Sequence, residues 1–600
     1  MLYSIVDQLD IMDTRIIVRK LLEYTENENI ALVTYDEKFC VKKQYTWKNY
    51  ICEISQFSRY LNQYCQKNVA IHSYNRPEWF FAALGAVVSR KHFCGIYNTN
   101  YNDHCIHVLK TGECDLLVIE NQELLLNNYS TVFNDLKGIK IILIDQMMNE
   151  QLDSSLKDLD IVYWSDILFN IRGSIDPIDH ISKQINNALE DEIITMIFTS
   201  GTTSKPKAVK ISHKNIFAAV DGVLETFGLE NGSEKILSYL PLSHIAGLAL
   251  DLICPLWCAG QVHFARSDAL KGSLKNSLIA VKPTIFLGVP RVWEKFQEGM
   301  ITVAQTRYIG FKGQALKKIV DLAKQTTYNY TSNTHEITRQ MLYPPFFVAN
   351  KIISKAKKAL GLDQCKYFIT GSAPIARNIL QYFMSLNMPI FEIYGMSETT
   401  GIITIADPIT ALMGSCGKTP HKITVKIGND NEILIKGDNV FSGYHNYMED
   451  PPSIDENGYF HTGDCGQLVK GNLYITGRIK ELIITSGGEN IPPVLIENTI
   501  HKIGQLHSHC LLVGDKRKFL SLLIFNPPEE PQLNDFDVQK IIDEYNNHHA
   551  ISNSQKIQKF KLIPDELTVE NNLLTPTMKY KRFLIEKKYC EIIESFYVDK

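Results

Sequence analysis

Three observations predict a mixed α/β protein built from more than one lobe. Six hundred residues exceed what a single core supports. Up to about residue 400, apolar strand-like runs alternate with helical patterns, and several runs empty into loops of small polar residues. Past Gly401 the pattern changes to short β runs with turns, and residues 482–600 carry strands and helices of their own.

Composition narrows the class. Hydrophobic residues make up 45% and charged residues 21%, as in soluble globular proteins. A formal net charge of −4 gives no global electrostatic case for nucleic acid. The 13 cysteines form no C-x-x-C pair or Cys/His ligand spacing, so a reducing, intracellular setting is expected, with Cys254 and Cys258 in the core. Residues 1–24 interleave apolar positions with Asp7, Asp10, Asp13 and Arg15, unlike a secretory signal. The apolar stretch 79–88 is too short to span a bilayer, and 245–260 carries Asp251 and Pro255. The expectation is a cytoplasmic protein without a transmembrane helix; peripheral contact with the endoplasmic reticulum or another membrane stays open.

In chain order, strand-like runs stand at 68–72, 116–120 and 139–144. Asn75-Arg76-Pro77-Glu78-Trp79 opens a helix, because proline suits a first turn and Phe80 to Val88 supply a buried face. Gly95 to Asn100 reads as a strand ending in a polar loop. Ile193 to Phe198 reads as a buried strand that breaks into Thr199, Ser200, Gly201, Thr202, Thr203 and Ser204, followed by Lys205, Pro206 and Lys207. Backbone N–H groups, hydroxyls and lysines in such a run make a phosphate-gripping loop. It is not the G-x-x-x-x-G-K-[ST] loop, and an ordinary Ser/Thr-rich turn is the competing reading.

Residues 209–215 give a strand and a helix N-cap. His244, between an apolar strand and a Gly/Ala helix start, reads by its neighbours more readily as a core or capping histidine than as a site residue. Residues 296–360 read as helical, with Lys351, Lys355, Lys357 and Lys358 on a solvated face. Tyr367-Phe368-Ile369-Thr370 empties into Gly371-Ser372-Ala373, and Pro389 to Ile393 runs into Tyr394-Gly395-Met396-Ser397-Glu398-Thr399. With the strand before Thr199, these ends are expected to share one crevice, where open α/β sheets bind ligands. Short strands follow at 424–427, 432–437, 459–464, 473–477, 481–485, 510–514 and 520–525, with a loop carrying a helical insertion at 526–553.

Taken in order, these motifs resemble the adenylate-forming superfamily of acyl-CoA synthetases, luciferases and peptide-synthetase adenylation domains, and the likeness covers almost the whole chain. T-S-G-T-T-S-K-P-K is similar to its phosphate loop, P-L-S-H-I-A-G to the segment beside the acyl carboxylate, and T-G-S-A-P and Y-G-M-S-E-T-T to its adenine and magnesium motifs. Y-F-H-T-G-D and G-R-I-K-E-L resemble the ribose aspartate and hinge, and T-P-T-M-K-Y-K-R the catalytic-lysine motif. G-V-P-R-V-W-E-K, I-I-T-S-G-G-E-N-I-P-P-V and L-T-P-T-M-K-Y-K-R are most similar to the bubblegum-type long-chain acyl-CoA synthetases.

The resemblance implies a large N-terminal domain, 1–477, of αβαβα-type sheets plus a small β subdomain. A hinge at 478–481 follows, then a smaller mobile α+β domain, 482–600. It implies ATP, Mg²⁺ and CoA as partners of a fatty acid, with no nucleic acid. Residues 199–207 would hold the β/γ-phosphates, and Glu398 would ligate Mg²⁺. Thr399 would donate to the α-phosphate, with His244 beside the carboxylate. Gly371, Ser372, Ala373, Glu392, Ile393 and Tyr394 to Ser397 would line the adenine site. Asp464 would accept from the ribose with Arg478 in support, Lys579 would bridge acyl oxygen and α-phosphate, Lys480 would be the pivot, and Gly487 and Gly488 would pass the pantetheine arm. Read singly, Tyr394 is a core residue, Glu398 a charge at a helix start, Asp464 a turn residue and Lys579 a surface lysine. Ser204 and Ala208 stand where the family carries glycine, a strain of about 1 kcal/mol or more if either site needs φ > 0. The competing readings are an adenylating enzyme with another acid or acceptor, and a fatty-acid-binding relative of weak activity.

Overall fold

The computed structural model describes residues 16–146, 152–171, 177–185, 188–199, 206–229, 232–332, 336–407, 413–446, 454–486, 489–504, 506, 509–528, 532–568, 571–575 and 579–598. Two large, mostly parallel sheets dominate its first 405 residues, and each is one edge of a layered core.

The seven-stranded sheet is built on Asn68–His72, flanked by Phe93–Gly95 and Cys114–Ile119 in parallel. Its far edge is the antiparallel pair Ile193–Thr199 and Lys207–Ser212. The eight-stranded sheet places Ile285–Leu287, Tyr367–Thr370 and Ile390–Tyr394 side by side in parallel, so those three strands end on the same edge. The helix Pro77–Val88 is buried along its length and opens with Pro77 in its first turn. Its Phe80 and Phe81 join Trp47, Tyr50 and Phe57 in the core beneath these sheets, where each fully buried side chain of this size contributes about 1.5–3 kcal/mol.

A four-stranded antiparallel sheet follows, Thr424–Ile427, Glu432–Lys436, Phe460–Val469 and Asn472–Arg478. Beyond it, the strands His509–Val513, Leu520–Phe525 and Ile557–Ile563 form a separate sheet with buried aliphatic clusters on both faces.

Several expectations need correction. The three strand ends come from two sheets and not from a single open one: Ile193–Thr199 lies in the seven-stranded sheet, whereas Tyr367–Thr370 and Ile390–Tyr394 lie in the eight-stranded one. The strand at 95–100 stops at Gly95, because Asn98 and Asn100 turn their carbonyls to the Asn128 side chain instead of a ladder. The strand at 481–485 shrinks to Ile483–Ile484, since Glu481 sits in a 3₁₀ turn. Lys357 is not on a solvated face; its ammonium lies 4.9 Å from the Phe368 ring centre, and burial lowers its pKa. Ala208 is an ordinary strand residue opposite Phe198 and is not among the positions with positive φ, so it carries no such strain.

Four helices matter below: α1 (His213–Phe227), α2 (Pro290–Arg307), α3 (Gly310–Thr331) and α4 (Glu336–Leu360). Ser212 caps α1 in a reciprocal box with Asn215, as the S-x-x-N spacing favours.

Candidate active site

The loop after Ile390–Tyr394 is shaped by steric necessity. A Cβ on Gly395 would stand 2.2 Å from the Gly401 carbonyl oxygen, and one on Gly371 would stand 2.7 Å from the Ile393 side chain. Thr400 takes a left-handed conformation (φ 53°) to close the turn. Within it, Thr399 is fully buried and its hydroxyl bonds to Met396: it accepts from the Met396 N–H and donates to the carbonyl, both at 3.1 Å. Asn439, also fully buried, donates to the Thr399 and Ile402 carbonyls, while Thr400 donates back to the Asn439 carbonyl.

Segment 438–445 was not singled out by the sequence, yet it clasps the two sheets together. The Asn215 side chain donates to the carbonyls of Asp438 and Val440 at 2.8 Å each. Phe441 N–H donates to the Glu398 carbonyl, and Ser442, Gly443 and His445 exchange backbone bonds with Ala208 and Lys210. Tyr444 is the consequence. Its hydroxyl donates to Glu398 Oε1 at 2.8 Å, and its ring lies under the Lys207 ammonium at 4.9 Å. The end of the phosphate-type loop and the acidic loop are thereby joined through one tyrosine. Of that loop, Thr199, Pro206 and Lys207 are described, while Ser200 to Lys205 lie outside the described residues, as do Gly487 and Gly488.

Asp464 pairs with Arg478 across the small antiparallel sheet. Arg478 Nε donates to Asp464 Oδ1 and the Tyr394 hydroxyl to Oδ2, both at 2.7 Å. Burial, followed by the Asp464 charge, drives the Tyr394 phenol well above its ordinary pKa, so it is a fixed donor. The carboxylate is held from both sides, and the aromatic ring of Tyr394 is placed beside it. Two residues before Tyr394 on the same strand, burial pushes Glu392 up to about 7.

His244 lies beyond the strand Lys235–Ser238 and caps the turn Ile245–Gly247, where the Ala246 N–H donates to its Nδ1 at 3.2 Å. That bond leaves the ring proton on Nε2. Burial and, next, the positive charge of Lys579 lower its pKa to about 4, so the ring is a neutral donor. The capping and site readings of His244 are thus compatible.

Lys579 comes from the C-terminal domain. Its N–H donates to Thr575 Oγ1 and its carbonyl accepts from the Thr575 N–H, closing a tight loop. It keeps an open solvent path, being exposed by area. Protein still surrounds it closely, as in a cleft: desolvation and Arg478 pull its pKa down to about 8, against the raising influence of Asp464, Glu481 and Glu398. The charges of Arg478, Asp464, Glu481 and Glu398 thus all act on this one lysine, and its own charge acts on His244. Arg582, three residues on, pairs with Glu497 and reaches Glu481 at 3.9 Å, linking this loop to the turn Ile479–Glu481 that holds Lys480.

Directly behind these loops is a cavity lined wholly by apolar side chains and glycine. Val220 and Val223 of α1, Ala246, Leu250, Ile393 and Gly401 are among its walls. Ala246 follows the His244 turn's first residue and Gly401 closes the Glu398 loop, so the cavity shares walls with two segments that carry the polar cluster.

Among the described residues no group of three or more His, Cys, Asp or Glu side chains is arranged to hold a metal by itself. The donor set still fits a hard cation shared with phosphate oxygens: Glu398 is buried and held by one tyrosine hydroxyl on one oxygen. Mg²⁺ is commonly bound by one or two carboxylates plus substrate phosphates.

The family model described as AMP-binding enzyme matches residues 25–445, and that of the AMP-binding enzyme C-terminal domain matches 480–600. The long-chain-fatty-acid–CoA ligase ACSBG2 of Xenopus laevis is 36% identical over 583 residues, covering 88% of this chain and 76% of its own. The long-chain-fatty-acid–CoA ligase heimdall of Drosophila melanogaster is 32% identical, covering 89% and 86%. Among solved structures, the o-succinylbenzoate CoA synthetase of Bacillus subtilis shares the fold with its acyl-adenylate bound (TM-score 0.67, 18% identity, 95% and 98% covered). It does so as well in complex with ATP and magnesium (TM-score 0.65, 18% identity, 95% and 99% covered). With both family models matched and relatives above 30% identity over most of their lengths, this chain belongs to the adenylate-forming AMP-binding enzymes, among the bubblegum-type long-chain-fatty-acid–CoA ligases.

Proposed function

We propose that the protein joins long-chain fatty acids to CoA, converting ATP to AMP and diphosphate through an acyl-adenylate. The observation that carries this reading is an apolar cavity whose walls include Ala246 of the His244 turn and Gly401 of the Glu398 loop, next to the segments that carry the charged groups around Lys579. A chain buried there gains about 0.8 kcal/mol per methylene, and its carboxylate would emerge at the polar end.

The first step brings a carboxylate to the α-phosphate of ATP, an encounter between anions that needs positive charge fixed beforehand. Lys579 supplies an ammonium there, and the His244 Nε2–H donates to the carboxylate without adding charge. Asp464, gripped by Arg478 and Tyr394, accepts from the ribose hydroxyls. Residues 199–207 and the backbone around Gly371 to Ala373 and Glu392 to Ser397 hold phosphates and adenine, with Thr399 keeping its loop in shape from within. Glu398 would hold Mg²⁺, which when bound neutralises phosphate charge. The acid's oxygen bonds to the α-phosphorus, the bond to the diphosphate breaks, and diphosphate leaves with the electron pair.

In the second step the CoA thiolate attacks the acyl carbon and AMP departs. We assign the change between steps to rotation about Lys480, which withdraws Lys579 and brings in the Gly487-Gly488 loop. A cytoplasmic location, with peripheral membrane contact, accompanies this reading. The test is AMP release across acids from acetate to very long chains and aromatic acids. Apparent kcat/KM should climb roughly fourfold per added methylene while the cavity fills. Maximal turnover with acetate or an aromatic acid, or no ATP consumption with any acid, would contradict it.

A further inference from the structure

Helices α2 to α4 leave the eight-stranded sheet as an excursion that the catalytic reading does not use. Among the described residues, this excursion holds the densest run of exposed large apolar side chains. On α3, Leu316, Ile319 and Leu322 recur at three-residue spacing, with Leu322 69% exposed. On α4, Met341 is 74% and Val348 63% exposed. The two helices pack side by side after a short connection, so these side chains stand on one hairpin. Residues 310–360 also hold nine Lys or Arg against two acids, in a chain whose formal net charge is −4. Lys312, Lys317 and Lys318 are exposed beside the α3 stripe, and Lys351, Lys355 and Lys358 are exposed on α4. No helix among the described residues is long and apolar enough to cross a membrane.

We propose that the α3–α4 hairpin is a docking face for an anionic lipid surface. Exposed aliphatic side chains set among lysines bury shallowly at the headgroup boundary, while the lysines meet anionic headgroups. Charge complementarity selects this occupant: a second copy of the hairpin would bring like charge against like, and a neutral surface would leave the lysines uncompensated. The inference adds a location to the proposed ligase activity, and its readout does not depend on catalysis.

The experiment is sedimentation of the full chain with phosphatidylcholine vesicles, with and without phosphatidylserine, at low and high salt. The expected result is binding only where phosphatidylserine is present, weakened by salt. Two variants separate the contributions: Ile319→Ser with Leu322→Ser and Met341→Ser, and Lys317→Glu with Lys318→Glu and Lys355→Glu. All six positions are exposed, so folding should hold, as a melting curve checks. Each lysine change should weaken binding roughly fivefold, and the apolar triple should abolish it, while AMP release with a soluble short acid stays as in the wild type. Binding equal to wild type in both variants, no binding to anionic vesicles, or a wild-type dimer that the variants dissociate would overturn the proposal.

Discussion

The Tyr444 hydroxyl donates to Glu398 Oε1 at 2.8 Å while the Lys207 ammonium lies 4.9 Å above the same ring. One side chain therefore touches both the carboxylate proposed to hold the metal and the cation that ends the phosphate-type loop. Removing the hydroxyl and keeping the ring separates these roles. Tyr444→Phe should raise the Mg²⁺ concentration for half-maximal adenylate formation by about tenfold or more, with a smaller change in the KM for ATP, the scale of losing one hydrogen bond to a charged group. Titrating Mg²⁺ at saturating ATP measures it.

Lys579 sets a pH limit. Its pKa of about 8 means that the free enzyme loses the ammonium as pH rises through 8, well before a solvated lysine would. The kcat/KM for adenylate formation should fall above pH 8, because that ratio reports groups of the free enzyme. In Lys579→Arg the rate should be lower but the alkaline fall should vanish, since guanidinium stays charged.

Asp464 is held at both oxygens, and the two grips are not equal. Arg478 brings charge, whereas Tyr394 brings a neutral donor. Tyr394→Phe should weaken ATP binding by about tenfold or more, and Arg478→Met by more still, as hydrogen bonds to charged groups are worth about 1.5–3 kcal/mol. Fluorescent-nucleotide displacement gives both constants without turnover.

Glu392 carries a stability signature. Its folded pKa of about 7 stands above the ordinary 4.5 because burial disfavours the charged form. Its folded state therefore holds the extra proton between those values, so this group's contribution to stability declines as pH rises from 4.5 to 7 and is flat above. Glu392→Gln should flatten that part of the pH profile and raise the melting temperature at pH 8 more than at pH 5.

The local parts of this molecule were legible because local rules decide them. Asn68–His72, Thr424–Ile427 and Leu520–Phe525 announce themselves as strands, and Pro77 and Ser212 mark helix starts by their chemistry. The polar cluster was legible as motifs, with Asp464 and Arg478 landing opposite each other in one ladder. What the sequence hid is what joins distant segments. Asn215 reaches carbonyls more than 220 residues away, and Asn439 and Tyr444 act on the Glu398 loop from beyond Gly437. Nothing in their immediate neighbours distinguishes them from turn residues. That the three strand ends come from two different sheets was hidden for the same reason: strand order is set by crossovers, not by strand sequence.

The central claim is that a lysine on the C-terminal domain acts in forming the acyl-adenylate and not in consuming it. Lys579→Ala, assayed in separate half-reactions, tests that most directly. Adenylate formation from ATP and fatty acid should drop by on the order of 10²–10³, the usual cost of removing one preorganised donor. Transfer of supplied acyl-adenylate to CoA should stay within a few-fold of wild type. Equal losses in both half-reactions, or none in the first, would contradict the account.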